Sequence, residues 1–342
     1  MKKSFNTAND TIQTTITTTN GFFDGGVGIL AGSSLATSSL SATQKSYYYN
    51  LQYNSKDHIS CTYGHIGGSG SAVQSTTTEG TTQAIYKQFY NLTEVNSTRL
   101  RDSVGWIIND VTQSDAYIVV AERLQMKDRL NPGTWTFKLS GSTSAGVGNT
   151  LVLTDNSKTT APTSAPFGDR YNIVSGSSGN AEGTSTVFGH FYPDAGLFIL
   201  SAAEMSSSLP GTSGYIQSGS GITGGSGLAP DTRVTDAVDN AWKITRALEL
   251  GEITLRSEER QFVYDYFCRA KANEFNISQN VTYWSGSQSK IRHSDMITNP
   301  QTYISEVGLY DAGGKLVAVG KLSSALNKNF SSEAIVKVRL TY

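Results

Sequence analysis

QTYISEVGLYDAGGKLVAVGKL (residues 301–322) sets two strand-forming runs on either side of the turn signal Asp311-Ala312-Gly313-Gly314. Runs rich in β-branched and aromatic residues, joined by a short Gly-containing connection, predict an antiparallel hairpin. One of the two central glycines is expected to take a positive φ, which a β-branched residue adopts only at a cost. The chain continues in the same manner: over 335–340, Ile335, Lys337 and Arg339 alternate with Val336, Val338 and Leu340. The C-terminal segment therefore reads as a β module.

Working back, Asn131-Pro132-Gly133 is a strong turn signal, and TWTFKL after it places Trp135, Phe137 and Leu139 on one face and Thr136 and Lys138 on the other. AYIVVA (116–121), RYNIVSG (170–176), STVFGHFY (185–192) and AGLFIL (195–200) add short runs divided by Gly/Ser turns. Many turn-bounded strands predict a mainly β chain, with antiparallel sandwich or barrel-like modules, a minor helical segment and long Gly/Ser-rich loops. The helix signal lies in TDAVDNAWKITRALEL (235–250), where Val238, Trp242, Ile244, Ala247 and Leu248 form an apolar stripe while Asp236, Asp239, Lys243 and Arg246 can face water. QAIYKQFYNL (83–92) fits a short helix with Ile85, Phe89 and Leu92 on one face, and its aromatic content fits a strand as well. QFVYDYFCRAK (261–271) reads as a strand.

These signals divide the chain into an extended arm (1–45), a main β domain (46–203), a Gly/Ser-rich loop or linker (204–232) and a helix-containing C-terminal β module (233–342). The arm has two readings. It is either mobile or ordered against a neighbouring subunit with Phe22 and Phe23 as pegs.

Composition excludes several classes. Charged residues make up 16% of 342, and 27 Lys plus Arg face 28 Asp plus Glu, for a formal net charge of -1. No basic stripe exists to neutralise a series of phosphates, so nucleic acid is not an expected partner. Weak self-repulsion suits assembly. MKKSFNTAND leads into polar TIQTTITTTN and not an apolar core, so no signal peptide is expected, and no apolar run approaches the length of a membrane span. The N-x-S/T triplets at Asn91, Asn96, Asn276 and Asn280 carry little weight in a chain about a quarter of which is Ser or Thr.

Candidate chemistry is thin. His58-x-x-Cys61-x-x-x-His65 holds zinc-ligand types, but a structural site needs a fourth ligand; Asp57 is nearby in sequence and Cys268 remote. A Cys/His nucleophile needs a base within hydrogen-bond reach, and the sequence supplies only the ingredients. Asp110, Asp115, Glu122 and Asp128 are the carboxylates from which a glycosidase pair would be drawn. The glycine clusters match neither nucleotide-binding motif. Tyr47, Tyr48, Tyr49, Tyr53 and Tyr63 suit a stacking surface, core packing or a subunit contact. No catalytic residue, metal site or cofactor is assigned.

FCRAKANEFNIS (267–278), ITNPQTYISEVGLYDAGGKLVAVGKL (297–322) and SSEAIVKVRLTY (331–342) resemble the ends of virion structural proteins of T4-like contractile-tailed (myovirus) phages, notably cyanophages. The resemblance runs more loosely through KSYYYNLQY, KDRLNPGTWTF, RYNIVSGSSGN and FGHFYPDAGLFIL, in order. The pattern I-x-E-V-G-L-Y-D-A-x-G-x-L-V-A-V is also similar to modules at the attachment end of tail fibres. The resemblance implies a scaffold without catalytic residues, assembled in the host cytoplasm into a virion. Its expected place is the tail or baseplate, present in several symmetric copies beside other virion proteins. A neck, portal-collar or capsid-associated place is the alternative; a carbohydrate-binding module or a hydrolase stands further off. Tyr303, Leu309, Tyr310 and Leu316 of the hairpin are the expected docking side chains, with internal packing as their other reading.

Overall fold

The structure, a computed structural model, describes residues 3–31, 34–37, 48–68, 81–94, 105–142, 148–182, 186–205, 237–286 and 290–342. It is mainly antiparallel β, with a curled half-barrel sheet and a minor helical component. The chain forms two compact units, 18–259 and 1–17 with 260–342, and the division falls inside the strands Thr11–Gly21 and Arg256–Ala270. The expected loop 204–232 and the end of the expected arm, 38–45, lie almost wholly outside the described residues.

In the larger unit one antiparallel sheet runs Ile29–Ala31, Glu252–Thr254, Thr136–Ser142, Gly148–Asp155, Gly168–Ser177, Val187–Tyr192, Leu197–Ser201, Asp115–Ala121, Lys56–His65, Tyr48–Tyr53, Ala36–Thr37. The helix Ala237–Glu249 packs against Thr136–Ser142 and also against Lys56–His65, strands far apart in that order, so the sheet must curl around it. Register shifts at Leu51/Gln52 and Ile173/Val174 mark bulges, which bend a sheet and increase its twist. Inside the curl Tyr117, Val119, Trp135, Phe137, Phe198 and Leu200 pack with Ile244, Ala247 and Leu248 of the helix. The residues between them, Ala116, Ile118, Leu197 and Ile199, enter a second cluster on the opposite face with Tyr86 and Trp106. Burial on both faces explains why AYIVVA and GLFIL are continuously apolar and not alternating.

The second cluster is closed by the helix Thr81–Thr93. Its approach requires glycine at 64, where a Cβ would stand 2.9 Å from the Tyr86 backbone. Tyr86 and Trp106 meet edge-on at 4.5 Å, the Tyr86 hydroxyl donates to the Gln113 carbonyl at 2.6 Å, and Trp106 Nε1 donates to Thr93 Oγ1 at 3.0 Å. The buried stripe thus centres on Tyr86 while Leu92, expected on the inner face, is exposed. Lys243, expected to face water, is fully buried. The turn at Asn131-Pro132-Gly133 is tied down: Gly133, at φ +75°, donates its N–H to both Asp155 carboxylate oxygens at 3.1 and 2.8 Å.

Phe22 and Phe23 correct the peg reading. Both are 1% exposed in the core of the larger unit, packed edge-on to one another at 5.3 Å and around His58 and Tyr53. Two adjacent aromatics in a polar segment find their burial within the chain itself. The expected C-terminal module also divides, because the helix Ala237–Glu249 and the strand Glu252–Thr254 belong to the larger unit.

The smaller unit combines residues 11–17 of Thr11–Gly21, residues 260–270 of Arg256–Ala270 and Ala334–Thr341 as neighbouring strands with a separate hairpin, Gln301–Tyr310 and Leu316–Asn329. Arg256–Ala270 and Ala334–Thr341 pair antiparallel from Val263↔Thr341 to Ala270↔Ala334. The hairpin turns as the sequence predicts: Asp311 N–H donates to the Lys315 carbonyl at 2.9 Å, Gly314 N–H to the Asp311 carbonyl at 3.0 Å, and Gly314 has φ +80°.

Candidate functional site

The smaller unit carries a cleft of about 1170 Å³. Its floor is the end of the paired strands, Phe267–Ala270 with Ala334 and Val336; on one face Cys268↔Val336 and Ala270↔Ala334 are cross-strand neighbours. On the opposite face Asp265 accepts from Arg339 Nε and Nη2 at 2.8 and 3.1 Å and meets Lys337 Nζ at 2.7 Å; these cations hold its carboxyl well below the usual carboxylate range. Phe5 from the N-terminal segment lines one side and packs on Tyr266 at 5.6 Å. Ion pairs Lys3–Glu274 at 2.7 Å and Arg269–Asp10 at 3.0 Å fix that segment.

The facing wall is the hairpin strand Gln301–Tyr310. A buried lysine secures the hairpin's base: Lys328 Nζ donates to Ala272 O at 3.0 Å, Asn276 Oδ1 at 2.7 Å and Asn329 O at 2.8 Å, which uses all three of its donors. Thr302 Oγ1 adds a bond to the Phe275 carbonyl. Of the expected docking side chains, Tyr303 (56%), Tyr310 (48%) and Leu316 (47%) are exposed, whereas Leu309 is 6% exposed and packs within the unit. Val317 and Val319 are exposed beside them. Sequence reasoning missed the cleft itself, whose floor joins residues far apart in the chain.

The other candidates are dispersed. His58 lies among Phe22, Phe23 and Tyr53, Cys61 is in the core with its thiol pushed up to about 12 by burial, and His65 Nδ1 accepts from Gly67 N–H at 3.0 Å. Among the described residues no group of three or more metal-ligating side chains assembles. Cys268 keeps its proton as well, through burial first and then the charge of Asp10. The carboxylates go to separate partners: Asp115 accepts from the Tyr63 hydroxyl at 3.2 Å, Glu122 accepts from Ser60 Oγ at 2.9 Å, and Asp110 sits in a turn at φ +60°. Burial pushes Asp115 up to about 6. Among the tyrosines, Tyr48 is exposed and Tyr63 buried, and Tyr53 is turned toward Phe23 and His58, so they do not form one stacking platform; Tyr47 lies outside the described residues. No helix among the described residues is long and apolar enough to cross a membrane. No family model, curated protein or solved structure matches the chain.

Proposed function

We propose that this chain is a structural subunit of a contractile-tailed phage virion, placed in the tail or baseplate, and that it works through protein contacts and not through turnover. The observation that carries the reading is the hairpin over 301–329: a two-stranded sheet standing apart from its neighbours, pinned at its base by Lys328 and exposing Tyr303, Tyr310, Leu316, Val317 and Val319. Tyr310 and Leu316 lie side by side over Gly308, and exposed apolar side chains gathered on a braced element are the usual mark of an interaction surface. This same element carries the sequence resemblance to tail-fibre attachment modules. A net charge of -1 leaves close packing of copies unopposed by long-range repulsion.

Quantitative mass spectrometry of purified particles is expected to find the chain in fixed stoichiometry after loosely held proteins are washed away. Its absence would overturn the proposal. A density map of the particle is expected to place it below the tail tube, and density at the portal collar would refute the tail assignment.

A further inference from the structure

We infer that the cleft of the smaller unit receives an extended segment of a partner protein, which adds as a strand along residues 301–308 of Gln301–Tyr310. The inference deepens the structural reading above and rests on it only in taking the partner to be a protein.

The geometry is that of an edge and not of a face. Residues 301–308 line the cleft while none of Leu316–Asn329 does, so the cleft lies on the side of Gln301–Tyr310 away from its hairpin partner. Gln301–Tyr310 pairs with Leu316–Asn329 alone among the described strands, so alternate backbone N–H and C=O groups along it lack a strand partner. Edges of this kind are normally blunted by Lys or Pro; QTYISEVGLY has neither, and its one charge is Glu306. An unprotected edge above an apolar floor matches strand addition, in which main-chain bonds supply affinity and pockets read alternate side chains.

Charge selects the partner's chemistry. The cations at the cleft, Lys3 and Arg269, are already paired with Glu274 and Asp10. On the strand wall Glu306 stands opposite Lys321 in register without an ion pair among the described residues, and in the adjoining turn Asp311 Oδ1 accepts only from the Lys315 N–H at 2.8 Å. The occupant is therefore a strand whose apolar side chains alternate with lysine or arginine.

The test uses the full chain and an octapeptide of alternating valine and lysine, followed by hydrogen exchange and fluorescence anisotropy. Saturable binding is expected, with new amide protection confined to alternate positions of Gln301–Tyr310. A valine–glutamate octapeptide is expected to bind at least about tenfold more weakly, and Glu306→Gln to weaken the lysine peptide about threefold. N-methylation of alternate peptide nitrogens on the pairing edge should abolish binding. No binding, binding without that protection, or equal binding of the methylated peptide would overturn the inference. So would protection of the same amides by self-association without peptide, or by a glycan on an oligosaccharide array. Particle composition is read independently, so the virion reading and this one fail separately.

Discussion

At Gly314 a single dihedral decides which residue the turn accepts. Its φ of +80° lies where a Cβ crowds the backbone, whereas Gly313 has no such requirement. Gly314→Val is expected to cost about 1–2 kcal/mol, read as a lower urea midpoint, and an unchanged midpoint would place the strain elsewhere. Asp115 offers a pH-dependent test. Burial raises its folded-state value from 3.8 to about 6, so above pH 6 the folded chain holds an ionised group that it penalises, and below about pH 4 the penalty is gone. Asp115→Asn, which can still accept from Tyr63, should therefore be more stable than the parent at pH 8, by on the order of 1–2 kcal/mol, and equal to it at pH 4. His190, held neutral by burial at about 4, and Asp265, held ionised by Arg339 and Lys337, titrate in both proteins and cancel in that comparison.

Among elements, the hairpin shows how one lysine can organise a loop and two strands. Lys328→Met keeps the length of the side chain but leaves two carbonyls and the Asn276 amide oxygen without their donor. A loss on the order of 2 kcal/mol is expected, with faster amide exchange over 272–276 and 301–303. A variant as protected as the parent would mean that Thr302 alone holds the base. What could be read in advance followed local period. Trp135, Phe137 and Leu139 enter the core from an alternating strand, and the 301–322 hairpin forms with its turn at 311–314. What could not be read depended on tertiary neighbours. Lys243 is buried although its helical phase suggests solvent, Leu92 is exposed although its phase suggests the core, and the partner that buries Phe22 and Phe23 is His58, distant in sequence. The cleft was equally hidden, since its floor and wall come from segments separated by loops that carry no periodic signal.

For the molecule as a whole, the notable feature is that the smaller unit is made from both ends of the chain and the larger from the middle. Residues 1–17 contribute Phe5 on Tyr266, Lys3 on Glu274 and Asp10 on Arg269. Deleting them should lower protection across 260–270 and 334–341 in hydrogen exchange, while the buried Trp106 and Trp135 of the larger unit keep their native emission. Loss of both signals together would show that the two units unfold as one.

The arrangement also sets an order in time. The strand Thr11–Gly21 lies beside Arg256–Ala270, which leaves the ribosome only after all of 22–255 has been made. Throughout that interval the early segment has no Arg256–Ala270 to pair with. Its sequence, TIQTTITTTNG, suits the wait: threonine gives it strand propensity, and only Ile12 and Ile16 interrupt an otherwise polar run. A more apolar strand would have paired early with whatever emerged next. The plainness of that segment is thus a property of synthesis as much as of the finished fold.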